Sequence, residues 1–153
     1  MNQKIHSLIV ALITVMLFSI PVFSSCGNDK LQGIGVDVVA PTHVVNGEEF
    51  VFEVRVENAE KRSRLLYSVD IWDEYLEGIF ILRTEPSFTD CFHIPIDNVQ
   101  SYKFKKDIPA EGELVIKFFA IGTDPGNYTS YLDVSIDNLV NFVTHPIVTI
   151  VED

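Results

Sequence analysis

Two short runs hold most of the side chains able to do chemistry. In 91–93, CFH, a thiol and an imidazole stand two apart, so an extended backbone puts Cys91 and His93 on one face. Joined by His145, they are donors suited to copper or zinc, although the spacing is not that of a closed site. The plainer reading is a small buried thiol beside a surface imidazole. In 70–77, DIWDEYLE, the acids Asp70, Asp73, Glu74 and Glu77 are hard oxygen ligands that could hold calcium on a loop, yet no D-x-D-x-D-G run accompanies them. The plainer reading there is a solvated rim. A glycosidase pair would need a cleft and a defined carboxylate separation, for which a small domain with few long loops has little room.

The acidic run also carries aromatics. Trp72 lies out of phase with the apolar set of its segment, Tyr75 follows three residues on, and Phe80 is close behind. Together Trp72, Tyr75 and Phe80 form a candidate ligand patch, because exposed rings stack on sugars and peptide side chains. The alternative places Trp72 in the core or under residues 85–99. No G-x-S-x-G or S-x-x-K nucleophile motif occurs, and Gly33-Ile34-Gly35 is not a strand-to-helix phosphate loop. We therefore assign no catalytic residue, no cofactor and no firm metal ligand.

The elements positioning these residues have period two. In 50–57, FVFEVRVE, Phe50, Phe52, Val54 and Val56 face one way and Glu53, Arg55 and Glu57 the other, as in a half-buried strand. Asn46-Gly47 before it marks a turn, and the segment 34–40 stops at Pro41 like an edge strand. In 65–72, Leu65, Tyr67, Val69 and Ile71 make the apolar set. Residues 78–84 read as a strand and 85–99 as a long irregular connection. Further strands follow at 100–108, at 113–121 (apolar on both phases, hence central), at 128–136 and at 142–151, the last interrupted by Pro146. Helical periodicity is absent from residue 26 onward. About eight strands with turns every 8–12 residues predict an all-β antiparallel sandwich.

One motif narrows the class. Asp124-Pro125-Gly126-Asn127-Tyr128 resembles the D-x-G-x-Y run before strand F of immunoglobulin-like domains. The resemblance implies an immunoglobulin-like sandwich of about seven to eight strands and a tyrosine corner, in which the Tyr128 hydroxyl bonds back to the turn. The second cysteine of antibody domains would stand at Ser130, and the strand-B cysteine is missing too, so no disulfide of that kind is expected.

The N-terminus predicts an address. MNQKIH carries Lys4 and no acid, and Leu8 to Phe23 carries no charge. The run is short for a spanning helix of roughly 20 residues but suits a secretory signal. Phe23-Ser24-Ser25-Cys26 resembles the lipobox of bacterial lipoproteins, with Phe23 where leucine is usual. The resemblance implies cleavage of residues 1–25 and lipid attachment at Cys26. Several acyl chains hold stably where one is marginal. In that family an aspartate after the cysteine marks inner-membrane retention. Gly27 stands there, which points to the outer membrane where the cell has one. Residues 26–33 read as a flexible tether and 34–153 as the domain.

Charge excludes partners. The chain has 22 Asp and Glu against 11 Lys and Arg, a formal net charge of −11, and Lys4 is the only charged residue before Cys26. Such a surface disfavours nucleic acid and anionic headgroups. The expectation is a bacterial envelope lipoprotein, membrane-bound through its lipid, acting as a non-catalytic binding module for an envelope or extracellular protein or glycan. The competing expectation is a calcium- or transition-metal-binding accessory envelope protein.

Overall fold

The computed structural model describes residues 31–153; the proposed signal, lipobox and Cys26 lie outside the described residues. The alternation in 50–57 becomes β3 (Glu49–Asn58), whose Phe52, Val54 and Val56 are fully buried. It pairs antiparallel with β1 (Ile34–Val39) on one side and β8 (Gly112–Gly122) on the other. β5 (Ile79–Glu85) completes a four-stranded sheet in the order β1-β3-β8-β5, with β8 internal as its two-sided apolarity predicts.

The second sheet has six strands. At its centre β4 (Arg64–Trp72) lies between β9 (Gly126–Ile136) and β7 (Val99–Ile108). β6 (Asp90–Ile94) forms one edge against β7, and β10 (Phe142–Glu152) flanks β9. β2 (His43–Val45) runs parallel to the end of β10, so the chain crosses from one sheet to the other at Pro41. β10 runs unbroken through Pro146, and β2 covers only Ile150–Glu152, so the proline lies where β10 is the outermost strand and no ladder donor is missed. The β1-β3-β8-β5 and β10-β9-β4 sets match the ABED and GFC sheets of an immunoglobulin-like sandwich. Here the GFC sheet is widened by β7 and β6. No helix among the described residues is long and apolar enough to cross a membrane.

The core is aromatic. Phe52 stacks on Phe118 across β3 and β8 at 4.8 Å, and Tyr102 and Phe104 of β7 meet Phe118 edge-on. The tyrosine corner is present: the Tyr128 hydroxyl donates to the Asp124 carbonyl at 2.9 Å.

Four readings need correction. β4 carries a bulge between Leu66 and Ser68, so Leu66, Val69 and Ile71 point inward together and Leu65 and Tyr67 do not. An extra residue inverts the side-chain phase on one side of it relative to the other. Residues 85–99 contain β6, which lacks clean alternation and is held by its ladder with β7, raising the strand count among the described residues to ten. One helical turn, α1 (Asp73–Leu76), follows β4. Finally, Leu31 packs on the core and the Gly33 carbonyl accepts the Ala59 N–H at 2.8 Å, so residues 31–33 belong to the domain.

Candidate functional site

On a two-sheet sandwich the outward positions of central strands usually meet water. Here they do not. Ser68 and Asp70 of β4, Ser101 of β7 and Ser135 of β9 all face outward, yet each is buried. Two loops, β6–β7 and β9–β10, reach this face beside Asp70. The β9–β10 loop is pinned by Asn138, whose Oδ1 accepts the N–H groups of Val140 and Asn141, and by Asp137, which takes Arg64 Nε and the Leu65 N–H. The β6–β7 loop is tied by the Asn98 carbonyl to the Asp73 N–H.

Between these lips lies a groove of about 580 Å³. Its floor is Asp70 and Asp133, directly opposed across β4 and β9. Ile94, Asp97 and Val99 form one side; Leu139, Phe142 and Thr144 form the other; Trp72 stands at the end of β4. None of these lining residues is cationic. Apolar side chains at the groove are open to solvent: Leu139 and Phe142 of its lining are about half exposed, as is Tyr131 beside Trp72.

The two floor carboxylates differ in supply of donors. Asp133 accepts Trp72 Nε1 at 3.1 Å on one oxygen and the Thr144 hydroxyl at 2.5 Å on the other. Asp70 is only 9 % exposed and accepts the Ser101 hydroxyl on Oδ1. Burial raises its carboxyl above the usual range, the hydroxyls of Ser101 and Ser68 oppose this, and the charges of Asp133 and Asp97 add to the rise. The arrangement is acidic, apolar-walled and held rigid by its own hydrogen bonds. It can receive a cation carried on an apolar stem; it offers no nucleophile and base pair for acyl transfer.

The aromatic patch read from the sequence is not one patch. Trp72 is half-buried, its ring tilted against Tyr131 at 5.6 Å. Tyr75 is fully buried, because α1 turns it into the core, where it meets Phe52 edge-on and its hydroxyl bonds Thr149 at 2.9 Å. Phe80 is exposed, but on the outer face of the other sheet.

The proposed metal donors are likewise dispersed. Cys91 and His93 do share a face of β6, but Cys91 is exposed rather than buried and accepts Gln100 Nε2 at 2.9 Å. His93 pairs with Asp73 at 2.8 Å, while His145 bonds the Pro146 carbonyl. Asp70 leaves its sequence neighbours for the groove, and Glu74 meets Ser130 instead. Among the described residues no three His, Cys, Asp or Glu side chains are gathered to hold an ion. Asp97, Asp133 and Thr144 were invisible as site residues in the sequence; their convergence depends on strand order. The one hint was Asp133, the single charge in YTSYLDVSI.

No protein-family model matches the chain, and no curated protein matches it. Solved structures do. The cupredoxin domain of amoB from Nitrosocaldus yellowstonii aligns with TM-score 0.51 at 12 % identity, over 80 % of this chain and 88 % of that one. AvmM, which catalyses macrocyclization in alchivemycin A biosynthesis, aligns with TM-score 0.51 at 11 % identity, over 79 % and 89 %. The CARDB domain of PF1109 from Pyrococcus furiosus aligns with TM-score 0.46 at 13 % identity, over 78 % and 94 %. Likeness at such identity shows the fold alone.

Proposed function

We propose that the protein is a bacterial envelope lipoprotein, anchored through Cys26, whose sandwich is a non-catalytic binding module. The observation that carries the binding reading is the preformed groove on the outer face of the six-stranded sheet, with its buried Asp70 and exposed apolar mouth. Buried charge without a cationic partner lowers stability, so retaining it on a face that could be wet argues for use. The anchor reading rests on the uncharged run ending in Ser24-Ser25-Cys26. The partner class is an envelope or extracellular protein or glycan, and the outer membrane is the expected site in a cell that has one.

Metabolic labelling with palmitate tests the anchor. The wild-type chain should take up label and partition with membranes, and Cys26→Ser should do neither. Unlabelled wild-type protein in the soluble fraction would refute the anchor.

A further inference from the structure

We propose that the open end of β7, residues 104–108, accepts a short acidic segment of a partner protein in extended conformation, with Lys103, Lys105 and Lys106 as the counter-charge. This surface shares no residue with the groove. The first argument is charge. The chain has a formal net charge of −11, and its arginines pair with carboxylates, as does Lys117. Among the described residues Lys103, Lys105 and Lys106 form no such pair. Asp90 stands opposite Lys103, but its Oδ1 accepts the Cys91 N–H. Asp107 is the single acid on β7. Three like charges so close repel one another, and an incoming carboxylate relieves the repulsion.

The second argument is how the backbone presents them. Between the pairs Leu66↔Lys106 and Ser68↔Lys103, two residues of β7, Phe104 and Lys105, oppose the single Tyr67. Phe104 is fully buried, while Lys105 takes φ 51°, a left-handed bulge conformation, and is exposed. Lys103 and Lys105 each carry their ammonium 5.9 Å from the centre of the Tyr67 ring, and that of Lys103 is 4.3 Å from the centre of Phe92. The rings hold the cations in place without neutralising them.

The third argument concerns the partner's form. β6 pairs with β7 only as far as Lys103, so beyond it β7 is the outermost strand. An extended segment laid there, in line with β6, is the direct neighbour of Lys105 and Lys106, and no strand intervenes. Lysines on an open edge repel basic strands and a second copy of β7, and admit acidic ones. A glycan has no main chain to pair with that edge. A polyphosphate or a membrane would extend past the patch onto acidic surface.

The test is NMR titration of the isotope-labelled full chain, in nonionic micelles, with an acetylated, amidated Val-Glu-Val-Glu-Val-Glu peptide and its glutamine counterpart. The acidic peptide should shift the amide signals of residues 103–108 saturably, bind about tenfold more tightly than the glutamine peptide, and lose that excess at high salt. Lys105→Asn, which tolerates the left-handed backbone, and Lys106→Gln should each weaken binding about threefold or more, and Lys117→Gln on the other sheet should not. Equal binding of the glutamine peptide would overturn the proposal. So would shifts confined to the groove and removed by Thr144→Arg, or tighter binding of polygalacturonate. No shift with either peptide would show that the lysines only guard a bare edge, and would overturn it too.

Discussion

Asp70 and Asp133 stand opposite each other on neighbouring strands of the larger sheet, two like charges where a sheet gains most from unlike ones. Asp133 is satisfied by an indole and a hydroxyl, whereas Asp70 is buried beside it with only the hydroxyls of Ser101 and Ser68 to oppose the cost of burial. The pair weakens the fold and makes the floor of the groove.

A pH dependence follows. Burial, reinforced by Asp133 and Asp97, raises the Asp70 carboxyl above its ordinary 3.8. In the interval above that value the folded chain holds a proton the unfolded chain has released, so this group makes stability fall as pH rises through its folded pKa. Asp70→Asn removes the effect. Thermal melts should find the variant more stable than wild type at pH 7, with the difference shrinking towards acid. A less stable variant at pH 7 would show that the Asp70 charge supports the fold.

The corner at Tyr128 makes a second prediction. Tyr128→Phe loses the bond to the Asp124 carbonyl and should cost about 1 kcal/mol in urea denaturation. The same ring covers Gly78: a β-carbon there would lie 1.8 Å from Tyr128 Cζ. Gly78→Ala should therefore destabilise by about 1–3 kcal/mol, and truncating Tyr128 in that background should recover part of the loss.

The three aromatics of the sequence-level patch should separate. Tyr75→Ala removes a buried ring from Phe52 and orphans part of Thr149, costing about 3–5 kcal/mol. Phe80→Ser, on the exposed face of the other sheet, should change stability by less than about 0.5 kcal/mol and leave ligand binding untouched. Trp72→Ala should fold but weaken groove binding, since it removes a wall and the donor to Asp133.

What the sequence made legible was local. Phe52, Val54 and Val56 alternate cleanly, and Asp124 to Tyr128 carries its turn chemistry within five residues, so strand, turn and sandwich class follow from short windows. The bulge after Leu66 has no residue signature, and it displaced the phase only upstream, so that Leu66 rather than Leu65 and Tyr67 points inward while Val69, Ile71 and Trp72 keep the sides the alternation assigned. α1 is too short for periodicity to reveal, and it alone sends Tyr75 inward. The groove joins β4, β9, β10 and the β6–β7 loop, and such long-range pairing has no trace in any one segment.

Cys91 is exposed at the edge strand, and its thiol is raised by burial of the sulfur, partly offset by Gln100. Iodoacetamide should alkylate it in the native protein, but more slowly than an unstructured cysteine peptide at the same pH, because less thiolate is present. No labelling without denaturant would contradict the exposed position.

The central claim, that the groove is the recognition face of a tethered module, is tested most directly by quantitative co-purification from detergent-extracted envelopes. Wild type, Thr144→Arg and Phe80→Ser would be compared at equal expression. The account predicts a partner retained by wild type and Phe80→Ser and lost in Thr144→Arg. The same partners at the same abundance in all three would contradict it.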